Sequence, residues 1–236
     1  MKSMNASFPR SLAFLGWRPL VFYGLVVLAG WLTNFWRREA VYLLLACSLL
    51  LPLVDREAVE WGRCLTWRRE GWGWSLALTG LAIGGALGLL VAARALQGAS
   101  TQFPQSGFVL TVVAGSLALW IPLAVAEEFF FRGYLQESVG RSLWGERRMG
   151  QGWASLSLKN LWASLLFGLA HALAQGSPLG LAMFFSGLLF GAIVERSRGS
   201  IWPAVLLHAG LNSAGLLAWR LLELNYPLLA AYSQVG

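Results

Sequence analysis

Long apolar stretches separated by short polar segments dominate this chain. A helix needs about 20 mainly apolar residues to cross the hydrocarbon core of a bilayer. Because 39–54 is short and the hinge at 175–178 is tight, about six to eight spans fit the pattern. It predicts an all-α fold, a polytopic transmembrane helix bundle of about seven spans. The predicted spans are 19–36, 39–54, 75–95, 108–135, 160–175, 178–195 and 200–222.

The composition agrees with a membrane protein. Hydrophobic residues make up 57% of the 236 residues and charged residues only 12%, about half the charged fraction of a soluble domain. The net charge of +7 is typical of cytoplasmic loops that face anionic lipid, so we expect the bilayer as a partner and no nucleic acid. The 13 tryptophans, many near the ends of apolar runs, suit an interfacial aromatic belt.

Two features of the N-terminal half predict local structure. The polar segment 55–74 carries an apolar stripe at helical spacing, which predicts a helix lying on the membrane surface. In the third span, Gly80, Gly84 and Gly88 lie four residues apart, which predicts a face that packs closely against another helix.

Ionisable side chains lie within apolar spans. Besides Arg132 they are Glu127, Glu128, His171 and His208, and the two histidines are the only ones in the protein. A charged group at bilayer depth costs about 3 kcal/mol on insertion scales, so such groups usually serve a function. A single buried histidine is more often a core residue. A glutamate pair together with every histidine of the chain favours a functional site.

Helical spacing groups these side chains. Residues four apart share one face of an α-helix. Glu128 and Arg132 are therefore expected to form an ion pair that lowers the cost of burying each, while Glu127, about 100° further around the helix, is left for other partners. The pairs at this spacing are Glu128 with Arg132, Phe167 with His171, and His208 with Asn212.

Three sequence motifs follow one another on successive predicted helices. "EEFFFR" fits E-E-x-x-x-R, "FGLAH" fits F-x-x-x-H, and "HAGLN" fits H-x-x-x-N. Together they resemble the CPBP family of glutamic-type intramembrane endopeptidases, also called the Abi family, which includes CAAX proteases and bacteriocin-processing enzymes. The resemblance covers about residues 108–222. The first three spans carry no matching motif.

The resemblance implies roles for individual residues. Glu127 with His171 would activate water, and His208 with Asn212 would form the oxyanion site, without a cofactor. Glu128, Arg132 and Phe167 would be supporting residues. Some family members have Asn four residues after the second-motif histidine. This chain has Gln175 there, whose amide can make similar hydrogen bonds from a longer side chain.

The implied activity is hydrolysis of a peptide bond in a membrane-associated protein or peptide, near the cytoplasmic side. In this interpretation residues 1–236 form a single membrane domain. Its helical core at 108–222 carries the three motifs, and 1–107 supplies the N-terminal spans and the interfacial segment. Prenylated C-terminal peptides, bacteriocin leaders and C-terminal membrane anchors all stay open as substrates. The excess of Arg over Lys indicates a GC-rich genome, and so a bacterial inner membrane.

Other chemistries use the same residues. Two histidines and one glutamate suit catalytic zinc, and Glu127, His171 and His208 supply such a set, although the chain has no H-E-x-x-H motif. A proton-coupled transporter could use the buried polar cluster as a relay, but that function predicts polar groups across the whole membrane depth. A non-catalytic scaffold or immunity protein would be expected to lose part of the set, which is complete here.

The distribution of Lys and Arg predicts orientation. With the N-terminus in the cytoplasm, thirteen of the 18 basic residues face the cytoplasm and four face the other side. Since cytoplasmic loops carry the excess of basic residues, reporter fusions should place the N-terminus inside and the C-terminus outside. Both ends on one side would contradict an odd number of spans.

Overall fold

The chain is helical through most of its length. A computed structural model describes residues 18–36, 40–55, 61–96, 106–140, 147–150 and 155–225. The α-helices are α1 (Arg18–Trp36), α2 (Ala40–Val54), α3 (Trp61–Cys64), α4 (Trp72–Leu96), α5 (Ser106–Glu128), α6 (Gln136–Val139), α7 (Leu158–Gln175), α8 (Met183–Arg196) and α9 (Trp202–Asn225). A π-helix (Phe129–Leu135) follows α5, and a 3₁₀-helix (Pro178–Ala182) precedes α8. Strands β1 (Arg148–Met149) and β2 (Leu156–Ser157) form one short antiparallel pair. The predicted all-α class is confirmed.

Four helical stretches are long and apolar enough to cross a membrane. They are Trp72–Leu96, Ala114–Ser138, Pro178–Arg196 and Trp202–Leu222. The stretches Arg18–Leu32 and Tyr42–Val54 are apolar but shorter. The chain is therefore an integral membrane protein, and the count of seven spans stays a prediction.

The hinge between α7 and the 3₁₀-helix has a local cause. Gly176 caps α7 in the left-handed conformation, with φ of 60°, and its N–H donates to carbonyls of the last turn. Ser177 is extended, and its hydroxyl accepts the N–H of Leu179. Pro178 then begins the 3₁₀-helix, because its fixed φ suits the first helical position.

The prediction of one surface helix over 55–74 is wrong for the residues of this segment that the structure describes. Only α3 is helical, and the chain is irregular from Leu65 until α4 begins at Trp72. Tertiary contacts hold it in that form: the Trp202 indole N–H donates to the Leu65 carbonyl (2.9 Å), and the ring of Trp67 stacks on that of Trp72 at 4.3 Å. Residues 56–60 lie outside the described ranges.

Two compact units make up the chain, and the single-domain interpretation stays a prediction. The first unit comprises Met1–Cys64 and Phe129–Ala192. In it α1 packs against α2 and α7, and the Tyr23 hydroxyl donates to the Leu166 carbonyl of α7 (2.9 Å). Its largest buried apolar side chains include those of Phe130 and Phe190.

The second unit comprises Leu65–Glu128 and Ile193–Gly236. In it α9 packs against both α4 and α5. The side chains of Leu90, Leu217 and Leu221 form a buried apolar cluster where these helices meet. This packing holds α9 against the C-terminal half of α5, the two elements that carry Glu127 and His208.

The close helix approach in this unit lies at Gly210 of α9. A Cβ added there would lie 2.5 Å from both Oγ1 and Cγ2 of Thr79 on α4. In contrast, a Cβ at Gly80, Gly84 or Gly88 would meet no described atom within 4 Å. The glycine face predicted on α4 is therefore wrong, because spacing along one helix does not say what packs against it.

Substitution by alanine should separate the two kinds of glycine. Gly210→Ala should lower the free energy of unfolding by about 1–3 kcal/mol, because the new methyl group overpacks the contact with Thr79. Thermal unfolding in detergent measures this. Gly84→Ala is the matched control and should be neutral or slightly stabilising. Adding Thr79→Ala to Gly210→Ala should recover most of the loss, and no recovery would contradict the proposed clash.

Candidate functional site

Two carboxylates and an imidazole meet in the second unit. The Nδ1 atom of His208 lies 2.8 Å from Oε1 of Glu128, and its Nε2 atom lies 3.8 Å from Oε2 of Glu127. His208 is 4% exposed and Glu128 is fully buried. The end of α5 and the middle of α9 position these groups. Both ring nitrogens of His208 therefore face a carboxylate.

The contact with Glu128 fixes the proton on the His208 ring. An ionised carboxylate only accepts hydrogen bonds, so Nδ1 must carry the hydrogen. A neutral His208 then has a lone pair on Nε2. The same nitrogen donates a hydrogen bond only when the ring is the doubly protonated imidazolium. The contact with Glu128 therefore orients the His208 ring.

Asn212 extends this set along α9. It lies one turn after His208, which places the two side chains on one helix face. Asn212 is half-buried, and its amide offers two N–H donors. The second unit thus brings Glu127 and Glu128 against His208, with Asn212 one turn further along α9. The roles of these residues stay predictions.

The second-motif residues lie in the first unit. The Nδ1 atom of His171 is 3.0 Å from the carbonyl oxygen of Phe167, one turn earlier on α7. A carbonyl only accepts, so Nδ1 carries the hydrogen and the neutral ring keeps its lone pair on Nε2. The Phe167 and His171 rings also contact each other, with centroids 4.4 Å apart. Gln175, the last residue of α7, is exposed.

Arg132 lies fully buried in the same unit. Its Nη1 donates to Oε1 of Gln136 and to Oγ of Ser164, both at 3.3 Å. Its guanidinium lies 5.5 Å from the centroid of the Phe167 ring, within the range of a cation–π contact. The predicted ion pair with Glu128 stays a prediction, since the two residues belong to different units.

The helical spacing used in the sequence analysis does not continue past the glutamate pair. The α-helix ends at Glu128, and residues Phe129–Leu135 are π-helical. A π-turn bonds from i to i+5 and often marks a functional site. An apolar run such as "FFF" gives no sign of this change of register.

The sequence did not indicate that three uncharged polar residues of the first unit are buried partners of Arg132 or of one another. Gln136, Asn160 and Ser164 are all fully buried. Gln136 lies four residues after Arg132, and Ser164 four after Asn160. The same search at four-residue spacing, extended to neutral polar residues inside apolar spans, would have found both pairs.

Within the described ranges, no group of three or more His, Cys, Asp or Glu side chains is arranged to hold a metal ion. The question of zinc is therefore one for elemental analysis.

The fold is that of a helical membrane protein, with glutamate, histidine and asparagine side chains inside its apolar helices. Residues 108–214 match the family model described as Rce1-like, Type II CAAX prenyl endopeptidase Rce1-like. This segment is therefore similar to the CAAX protease family that the three motifs resemble. The segment includes Glu127, His171, His208 and Asn212. No match was found among curated proteins or among solved structures. Similarity to a protease family over this segment supports an enzyme, and suggests a membrane-associated protein as its substrate.

Histidine-selective ¹⁵N labelling tests the ring assignments, because the protein has only two histidines. We expect His171 to be protonated at Nδ1 and not at Nε2, the reverse of the tautomer favoured in water. Two-bond ¹⁵N–¹H correlation spectra measure this, with His208→Gln for assignment. Glu128→Gln should change the His208 signals and leave those of His171 unchanged. An Nε2–H tautomer at His171 would show that its bond to the Phe167 carbonyl does not form.

Proposed function

We propose that the protein is a glutamic-type intramembrane endopeptidase. In this proposal Glu127 with His171 activates water, and His208 with Asn212 stabilises the oxyanion. The observation that carries the proposal is that the matched segment 108–214 includes the complete set of motif residues. The roles come to these residues from the resemblance to the family.

The chemistry of the side chains supports the division into base and oxyanion donors. Peptide hydrolysis needs a base for water, donors for the tetrahedral oxyanion and a proton for the leaving amine. Glu127 is a carboxylate base, and its side chain is 12% exposed, so water has limited access to it. In this proposal the Nε2 atom of His171, whose Nδ1 lies 3.0 Å from the Phe167 carbonyl, accepts a hydrogen bond from the attacking water.

The oxyanion role places a condition on His208. Because Nδ1 faces Glu128, the ring donates from Nε2 only as an imidazolium. In that form the ring would pair with the Glu128 carboxylate, which lies 2.8 Å from Nδ1. Asn212 adds a neutral donor from the same helix face. A charged donor and a neutral donor together suit a developing negative charge.

The substrate is proposed as a membrane-associated protein or peptide cut near the cytoplasmic side. The family description names a prenyl endopeptidase, whereas the bias toward arginine favours a bacterial inner membrane, where leader peptides and C-terminal anchors are the alternatives. We place the N-terminus in the cytoplasm. Co-expression with tagged substrates of the three classes, followed by mass mapping of new termini, tests the activity. If no new terminus appears, or if the new termini do not depend on Glu127, the proposed protease activity is contradicted.

The two glutamates should differ on substitution. Glu127→Gln should abolish cleavage and leave the yield and thermal stability of the folded protein unchanged, because it removes the base while keeping the shape. Glu128→Gln should also lower the free energy of unfolding, by about 1–3 kcal/mol, since this side chain is fully buried against His208. Equal loss of activity with wild-type stability in both variants would contradict this division.

Zinc content separates the glutamate mechanism from a metal mechanism. We expect purified wild type to contain no stoichiometric zinc and to survive prolonged chelation. Asn212→Ala should lower kcat by about 10²–10³ with little change in substrate binding, as loss of an oxyanion donor does. If Asn212 instead oriented a metal-bound His208, its loss would lower metal affinity by about 10–100-fold. A full zinc equivalent in wild type and a deficit in Asn212→Ala would overturn the glutamate mechanism.

A further inference from the structure

A chain of hydrogen bonds joins four buried polar side chains in the first unit. The Asn160 amide donates to the Leu188 carbonyl of α8 (3.0 Å), and its Oδ1 accepts from the Ser164 hydroxyl (3.0 Å). Ser164 Oγ in turn accepts from Nη1 of Arg132, which also donates to Gln136 (both 3.3 Å). Asn160, Ser164, Arg132 and Gln136 are all fully buried. The network therefore fixes the guanidinium of Arg132 through neutral groups.

The network ends on the second-motif residues. Arg132 lies over the Phe167 ring at 5.5 Å, and Phe131 contacts the same ring edge-on, with centroids 4.9 Å apart. Phe167 is 1% exposed and contacts the His171 ring at 4.4 Å. His171 itself is only half-buried. The orientation of its ring therefore depends on Phe167, and that of Phe167 on the groups packed around it.

Helix α8 is shaped to admit this network. A Cβ added at Gly191 would clash with Oδ1 of Asn160, and one at Gly187 would lie 3.1 Å from Nη2 of Arg132. Glycine at both positions lets the backbone of α8 cover the polar groups directly. A half-satisfied buried network costs more than an apolar core. Because the backbone of α8 packs so closely against Asn160 and Arg132, a shift of either side chain would break hydrogen bonds or cause a clash.

We propose that Asn160 is a positioning residue for His171. Through Ser164 it holds Arg132 over the Phe167 ring, which keeps the His171 imidazole against that ring. In that orientation Nδ1 donates to the Phe167 carbonyl, which sets the direction in which Nε2 points. The catalytic use of His171 rests on the proposed function. The control of its ring by Asn160 does not.

The test compares two ways of breaking the network with a control that removes a different hydrogen bond to α7. Asn160→Leu removes both hydrogen bonds of the Asn160 side-chain amide. Ser164→Ala removes only one oxygen atom, and this milder variant tests the network if Asn160→Leu does not fold. Tyr23→Phe is the control. It removes the hydrogen bond between Tyr23 and the Leu166 carbonyl of α7 (2.9 Å) and leaves the network intact.

Ring ¹⁵N signals of full-length protein in detergent are the main readout. In Asn160→Leu and Ser164→Ala we expect the His171 pattern to move toward the mixture of tautomers seen in water, with His208 unchanged. Asn160→Asp keeps the acceptor for Ser164 and should retain more of the wild-type pattern than Asn160→Leu. Tyr23→Phe should lower Tm while leaving both histidine patterns as in wild type. Wild-type His171 signals in both network variants would overturn the proposal.

Kinetics on a peptide that wild type cleaves provide the second readout. We expect kcat to fall by about 10- to 100-fold in the network variants with KM nearly unchanged, because a displaced base affects the chemical step more than binding. A purely structural role would lower Tm without this split and would count against the proposal. If His171→Gln keeps full activity, the proposed function fails, and the ring signals still decide the role of Asn160.

Discussion

Ionisable side chains among apolar helices must find hydrogen-bonding partners inside the protein, since little water is available there to solvate them. Both units meet this constraint, with different chemistry. In the second unit the His208 ring donates to the fully buried carboxylate of Glu128. In the first unit Arg132 donates to the neutral oxygens of Gln136 and Ser164. The positions of Glu128, His208, Gln136 and Ser164 can therefore be explained by the hydrogen bonds that these residues make.

The partners also decide what each histidine can do. Both rings direct Nδ1 to a group that only accepts, the Glu128 carboxylate for His208 and the Phe167 carbonyl for His171. The acceptors differ in charge. A carboxylate can carry a negative charge and a carbonyl is neutral, so the two rings have different surroundings. This difference is compatible with the separate roles proposed for the two histidines.

The helices were predictable from sequence because apolar length alone specifies them, as α1 and α9 show. Local departures from regular α-helix were not predictable. The π-helix at Phe129–Leu135 has the same apolar pattern as an α-helix, and the irregular chain before Trp72 depends on a bond from Trp202. The glycines of α4 had helix-packing spacing, yet the close contact lies at Gly210. Each of these features depends on residues distant in sequence.

The charged residues of the candidate site were predictable for a related reason, since a charge inside an apolar run is conspicuous. Their neutral partners were not. Asn160 and Ser164 are ordinary polar residues near the start of a helix, and only the fold shows that they hold Arg132. The sequence gives no sign of the role of Gly191, which is to leave room for the Asn160 side chain where a Cβ atom would clash.

The F-x-x-x-H spacing has a physical explanation in α7. Four residues is the separation at which an α-helix brings a side chain back over the preceding turn. At that distance Phe167 offers His171 both its ring and its backbone carbonyl. Any residue at 167 would supply the carbonyl. The aromatic ring is needed to hold the imidazole plane and to receive the cation of Arg132. The arginine of the first motif and the phenylalanine of the second therefore act on the same histidine, although 35 residues of sequence separate Arg132 from Phe167.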